Sequence, residues 1–303
     1  NDGKNTKGNT TLTGYTQTQR ALSAFATETR TRVDFDTISL EFYDKWVDYM
    51  QQVKDYKPNN VGKHVKILKT ILNEALENGL TENRAHQSKY FKTIKTEAFS
   101  IALSEDELQE IHKLDLSDNK SLDVQRDVFL VASSTGLRFS DVSRLTKKNI
   151  QADNGMRYVQ IKTQKTGETV SIPLDKRLTQ ILDKYDSTER GFPKSNTNQV
   201  INRQLKEIAK MVESLHGVET INYKRGTKQV TDMKRRYELV STHTARRSFA
   251  TNYYKAGVPA QFIMKITGHR TESSFLKYIK MTALDSAKVF ELIMANNGLS
   301  VVR

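Results

Sequence analysis

Apolar residues recur at helical spacing along most of this chain. Tyr15, Leu22 and Phe25 share one face of a pattern reaching residue 31, and Leu40, Tyr43, Trp46, Val47 and Met50 share one within residues 37–53. A third stripe, Val61, Val65, Leu68, Ile71, Leu72 and Ala75, starts after Asn59 or Asn60 and stops at Gly79; Lys63, Lys66 and Lys69 occupy its other side. A short fourth helix is predicted near residues 82–90. Residues 1–10 are polar, glycine-containing and aperiodic, which predicts a disordered tail. Residues 11–97 therefore form a small helical domain with a basic side. The pattern lapses in FKTIKTEAFS, residues 91–100, and a linker is placed at 98–103.

A second domain follows, over 104–303. Ser104-Glu105-Asp106-Glu107 is a capping box that opens a helix. Further helices are predicted over 122–135, ending at Gly136, and from Ser140 into Leu145. In RYVQIKTQKTGETVSIP, residues 157–173, two β-prone runs flank a Lys-Thr-Gly turn, which predicts a hairpin. Helices resume over 175–185 and 197–214, and residues 221–240 read as a second hairpin or a long loop. The remainder is helical: 243–256, 259–267, 272–279 and 283–296. The last of these carries Leu284, Ala287, Phe290, Ile293 and Met294 on one stripe, to be docked either in cis or on a neighbour. The fold class is mainly α with a small β-hairpin component.

Charge adds a partner to this picture. Forty-eight Lys and Arg against 35 Asp and Glu give a formal charge of +13, which suits a polyanion, most simply nucleic acid. Cysteine is absent, which excludes disulfides, thiolate metal sites and cysteine nucleophiles. No apolar run approaches a membrane span and no secretory start is present, so no membrane partner is expected. The chain starts with Asn rather than Met, so the natural N-terminus is expected upstream.

Candidate chemistry concentrates in STHTARRSFATNYYKAG, residues 241–257. His243 and Arg246 share a face in the first turn of a helix, whose N-terminal end favours anions over cations. Arg138 lies in a turn after Gly136, and His269 follows Gly268 at a helix end. A phosphodiester under attack explains the set. Two guanidiniums offer bidentate donors to the charge that builds on its oxygens, and the helix N-terminus is itself an anion site. Tyr278 is the candidate nucleophile, with His243 to accept its proton; packing against the preceding helix beside Phe275 is the alternative. A basic segment leads into this helix: Lys224, Arg225, Lys228, Lys234, Arg235 and Arg236, then Arg247, interleaved with Tyr223 and Tyr237. It reads as a phosphate-tracking surface. Lys63, Lys66 and Lys69 extend the DNA-contact set into the first domain. No metal-ligand cluster is apparent.

The order Arg138, a hairpin lysine, His243-x-x-Arg246, Gly268-His269 and Tyr278 resembles the tyrosine recombinases, or phage-type integrases. The phrases TGLRFSDV, THTARRSFATN and TGHRTESSFLKY are most similar to integrases of conjugative transposons and related mobile elements. The resemblance covers residues 104–296 through motifs and extends to the N-terminal helices by position and pattern only. It implies a SAM-like core-binding domain followed by a catalytic domain whose exchange helix is 283–296. It also implies roles. Arg138 and Arg246 clamp the scissile phosphate, and Lys165 protonates the leaving 5′ oxygen from a position buried between them. His243 is the base, His269 holds a non-bridging oxygen, Asp141 buttresses the site, and Tyr278 forms a 3′-phosphotyrosyl bond. Lys162 is a weaker alternative to Lys165. By the same resemblance the enzyme needs neither metal nor ATP and has no cofactor. It works on double-stranded DNA as a homo-tetramer on paired sites, through a Holliday junction, to integrate or excise an element. Accessory DNA-bending or excision factors and a bacterial cytoplasmic, nucleoid-associated location are further implications. The rivals are a chromosome-dimer-type resolvase, a type IB topoisomerase, and a DNA-binding module without catalysis. The topoisomerases usually carry Lys where His243 stands.

Overall fold

Side-chain caps and glycines set where the helices begin and end. The computed structural model describes residues 9–226 and 228–296, with the side chains of residues 9, 10, 225 and 296 left aside. The predicted tail, apart from residues 9 and 10, lies outside the described residues. The chain divides into two compact units, Asn1–Ala98 with Thr220–Asp232, and Phe99–Glu219 with Met233–Arg303.

In the first unit, α1 (Asn9–Thr29), α2 (Leu40–Asp48) and α3 (Pro58–Glu77) enclose one core. Ser39 Oγ accepts the Phe42 N–H at 3.2 Å to start α2, which runs on into a π-helical turn at Tyr49–Val53. Phe25, Phe42, Trp46, Met50, Val61, Val65, Leu68, Leu72 and Phe91 are buried together. Gly62 makes room for the chain that leaves this core: a Cβ there would stand 1.8 Å from the Ile94 carbonyl oxygen. The helix expected near 82–90 is reduced to a single 3-10 turn, Ala85–Gln87. The reason is Asn83, whose amide donates to the Phe35 and Ile38 carbonyls while its oxygen accepts the Ala85 N–H. Side-chain bonding of this kind competes with helix.

The second unit opens at α4 (Glu105–Lys113) with the expected capping box: Ser104 N–H to Glu107 Oε2 at 2.7 Å, and Glu107 N–H to Ser104 Oγ at 3.2 Å. Next comes α5 (Lys120–Thr135), buried along most of its length and closed by Gly136 in the left-handed region, then the short α6 (Phe139–Val142). An antiparallel sheet follows in the order β1 (Ile150–Asp153), β2 (Met156–Lys162), β3 (Thr169–Pro173), with Val159 facing Ile150 on one side and Ile172 on the other. The predicted hairpin is β2–β3; β1 is an addition, turned back by Asn154 and Gly155 at φ 47 and 82. After α7 (Lys176–Tyr185) and α8 (Asn198–Lys210), the segment read as hairpin or loop is a hairpin, β4 (Val218–Arg225) with β5 (Lys228–Arg235), of which residues 220–232 belong to the first unit. Four helices complete the unit: α9 (Thr242–Lys255), α10 (Ala260–Thr267), α11 (Glu272–Leu276) and α12 (Ala283–Asn296). The architecture is mainly helical with small antiparallel sheets.

A buried ionic network ties α5 to α7. Arg126 lies 3.0 Å from Asp127 and 2.5 Å from Asp123, and Lys184 reaches both carboxylates at 2.6 Å. Burial first, then the Asp127 charge, push the Tyr185 hydroxyl pKa up, which keeps it a donor to Asp127 at 2.9 Å. Asp127→Ala leaves Arg126 buried with one of its two carboxylates removed. The expected loss is about 3–5 kcal/mol in urea unfolding, at an unchanged slope. A midpoint within error of wild type would show that the network is ornamental.

Candidate active site

α9 is the spine of the site, and the core holds it from several sides. Its first N–H, at Thr242, donates to Asn202 Oδ1 at 2.9 Å on α8. Further along, Ser248 Oγ accepts the Leu103 N–H at 2.8 Å, and Asn252 returns a bond to the Leu103 carbonyl at 3.1 Å. Arg246 points inward and is only 3% exposed. Its Nη1 donates to the Gly136 carbonyl at 2.6 Å. This approach needs glycine: Gly136 has φ +65, and a Cβ there would lie 2.4 Å from the Phe249 ring. Burial, and then the Arg138 charge, lower the Arg246 pKa to about 10, with Tyr278 and Asp141 pulling the other way.

Arg138 caps the start of α6 and is half-buried. Gly268, which ends α10 in the left-handed region at φ +59, lies beside Arg138: a Cβ there would be 3.6 Å from its Nη1, an ordinary contact. Asp141, fully buried, accepts the Gln164 N–H at 2.8 Å through Oδ1. That bond fixes the β2–β3 turn, and with it Lys165, to α6. Lys165 itself is exposed on the turn rather than buried between the arginines, because Thr163, Thr166 and Gly167 close the turn under it. Its charge nevertheless reaches His243. Lys162 is exposed on the strand.

Tyr278 stands at the centre of the remaining contacts. Its hydroxyl is 3.3 Å from His243 Nδ1. The ring packs edge-on against His269 at 4.8 Å, and the Arg247 guanidinium carbon lies 5.1 Å from its centroid. Below it, Phe275 is buried with Phe249, Ala250 and Ile263. Nucleophile and packing are therefore not exclusive readings of Tyr278. Tyr253 and Tyr254 instead pack against Phe249 and Phe275, tilted and edge-on. The His243 pKa is lowered, by burial first and then by Arg247, Arg246, Arg138 and Lys165. The imidazole keeps an open edge to solvent yet sits crowded by cations, and is neutral near pH 7.

His269 carries a tautomer that hydrogen inventory assigns. Thr267 has one hydroxyl proton, and its Oγ1 lies 2.7 Å from the Ile263 carbonyl, which can only accept. The same oxygen is 2.8 Å from His269 Nδ1, so it must accept there, and Nδ1 bears the proton. Burial, with Arg246 and Arg138, lowers the His269 pKa to about 4. Neutral His269 thus offers a lone pair at Nε2. The expected hydrogen bond to a non-bridging oxygen requires a further proton on that atom. No sequence signal marks Thr267 for this task.

The predicted DNA-contact residues sort by what they touch. Lys66, Lys224 and Lys228 are exposed, Lys63 donates to Gln17 at 2.7 Å on the surface, and Lys234 is half-buried. Arg235 donates to the His216 carbonyl at 2.9 Å from an exposed position. Two residues are committed elsewhere. Lys69 donates to the Phe91 carbonyl at 3.0 Å, and Arg236 is bound to Glu107, Glu219 and the Ala102 carbonyl. Arg236 is a brace inside the second unit, with few donors left for a phosphate. Arg247 turns to Tyr278. The Arg225 side chain lies outside the described residues.

Comparison with known proteins agrees with this architecture. The sequence model of the phage integrase family matches residues 102–284, and that of the phage integrase SAM-like domain matches residues 1–93. Tyrosine recombinase XerA of Pyrococcus horikoshii is 26% identical over 200 residues, 64% of this chain and 63% of that protein. Among solved structures, a lambda integrase dimer bound to a COC' core site superposes with a TM-score of 0.68 at 15% identity, over 91% of this chain and 90% of that one. The Tn1549 transposon integrase in complex with transposon right end DNA gives 0.64 at 16%, over 97% and 96%. XerH bound to a palindromic difH substrate gives 0.65 at 15%, over 94% and 80%. These structures share the fold. On the family match across the second unit, joined by the SAM-like match across the first, the chain belongs to the phage integrase family, the tyrosine recombinases.

Proposed function

We propose that this chain is a site-specific DNA recombinase that cuts and rejoins strands through a phosphotyrosyl intermediate. The reading is carried by the Tyr278 hydroxyl on His243 Nδ1, beside the guanidiniums of Arg246 and Arg247. A phosphate is the missing counter-charge. Arg138 and Arg246 bind its non-bridging oxygens. Tyr278 attacks phosphorus as His243 takes the phenolic proton, the bond to the 5′ oxygen breaks, and Lys165 gives that oxygen a proton. The 3′-phosphotyrosyl ester conserves one phosphodiester for one. A 5′-hydroxyl from a second duplex can therefore reverse the step without an energy source. Two such exchanges pass through a Holliday junction.

Integration or excision of a mobile element is the role that fits best, with residues 11–97 as the core-binding domain and 104–303 as the catalytic domain. The apolar face of α12, where Leu284, Phe290 and Ile293 are 66%, 65% and 45% exposed, supports docking on a neighbouring subunit, as a tetramer on paired duplex sites requires. Among the described residues no helix is long and apolar enough to cross a membrane. Action on DNA in the bacterial cytoplasm follows from this reading.

Tyr278→Phe is expected to retain DNA binding and to abolish the covalent protein–DNA adduct on a nicked suicide duplex. An adduct that persists and maps to Tyr253 or Tyr254 contradicts the assignment. Lys165→Ala should slow cleavage by about 10²–10⁴-fold, but far less when sulfur replaces the 5′ bridging oxygen, since a thiolate leaves without a proton. Equal penalties on both substrates in single-turnover rates would reduce Lys165 to a fixed charge.

A further inference from the structure

His243 and Arg247 are four residues apart on α9, so both face one side of the helix, while Arg246 between them turns inward. On that side stands Tyr278, touched at its hydroxyl by His243 and on its ring by Arg247. One helical turn thus grips the tyrosine at two points. Arg247 had the sequence appearance of a phosphate contact, as the last cation of a basic run. In the fold its guanidinium is spent on an aromatic face instead.

We propose that Arg247 is a positioning residue for strand cleavage: stacked on the Tyr278 ring, it holds the nucleophile at His243 and keeps positive charge beside that base. The inference rests on Tyr278 and His243 acting as proposed above. A phenol in the turn after α11 can rotate about its side-chain bonds, and an edge contact with His269 and one 3.3 Å hydrogen bond are weak restraints. A cation on the ring face supplies another, through the ring's negative quadrupole, without occupying the hydroxyl that must attack. The same charge acts on His243. The groups that face this imidazole are Arg246 and Arg247 from α9, Arg138 before α6, Lys165 from the β2–β3 turn and Tyr278 after α11. Of the charges among them, Arg247 contributes most to lowering the His243 pKa. A neutral His243 can take a proton, and a protonated one cannot. Removal of Arg247 should therefore raise the His243 titration midpoint, and the acid limb of cleavage should move to higher pH.

The test uses the full chain and three variants, Arg247→Met, Arg247→Lys and Tyr278→Phe. Imidazole NMR titration without DNA is the first measurement. Arg247→Met should move the His243 midpoint up, and Arg247→Lys should leave it close to wild type; an unmoved midpoint in Arg247→Met overturns the proposal. The second measurement is single-turnover adduct formation on a nicked suicide duplex bearing the site that this protein selects from a random-sequence pool. Arg247→Met should be slower by about 2- to 30-fold, with partial rescue by Lys, at unchanged duplex affinity and unchanged salt slope. Affinity that falls with a salt slope smaller by about one phosphate, at an unaltered cleavage rate, would make Arg247 a phosphate contact and overturn the proposal. An adduct that survives Tyr278→Phe would instead overturn the nucleophile assignment. The NMR titration still decides the contact between Arg247 and the His243 site in that case.

Discussion

The close packing of α9 on α5 organises the second unit, and a buried guanidinium bonded to a backbone carbonyl sits in its seam. Arg246 reaches from α9 to the Gly136 carbonyl at the end of α5, the most buried helix of its unit. Packing makes α5, the Arg138 turn and α9 one block, and the bond orients Arg246 within it. The β2–β3 turn is tied to the same block by Asp141, and α10 reaches it through Gly268 beside Arg138. Residues 110 and 23 apart in the chain, as in the Arg246–Gly136 and Asp141–Gln164 pairs, meet side chain to backbone, which satisfies polar groups that burial would otherwise leave unpaired.

The same placement is electrostatically costly. Burial first, and then the Arg138 charge, work against the charged form of Arg246 and lower its pKa to about 10. His243 and His269 respond to the same field and stay neutral. Under the proposed function, a phosphate entering the site would offset this positive charge.

Local features were legible in the chain; partners far along it were not. The Ser104 capping box and the Gly136 stop are written within a few residues, and both hold in the fold. The six site residues read as one set lie in the second unit. The contacts among Arg246, His243, His269, Tyr278 and Arg138 bring five of them together, and Lys165 stands on a turn fastened to the block. The β1 strand was signalled by Asn154-Gly155, but its single large apolar residue, Ile150, gave it no periodicity. Arg236 and Lys69 were misread as free cations, since a charge count cannot show Glu107 waiting 129 residues away or the Phe91 carbonyl 22 away. The exposure of Lys165 and the tautomer of His269 depend on turn closure and on one hydroxyl proton, which only three-dimensional contacts reveal. Arg247 was closer to reach: its four-residue spacing from His243 places both on one face.

Under the proposed function, Arg246 serves a phosphate rather than the stability of the fold. Urea unfolding of Arg246→Met, read beside adduct formation by the same protein, tests it most directly. Loss of the repelled charge offsets the unpaired Gly136 carbonyl, itself worth about 1–3 kcal/mol, so the variant should be about as stable as wild type or more so, and should form no adduct. A variant that is several kcal/mol less stable and still cleaves DNA would contradict it.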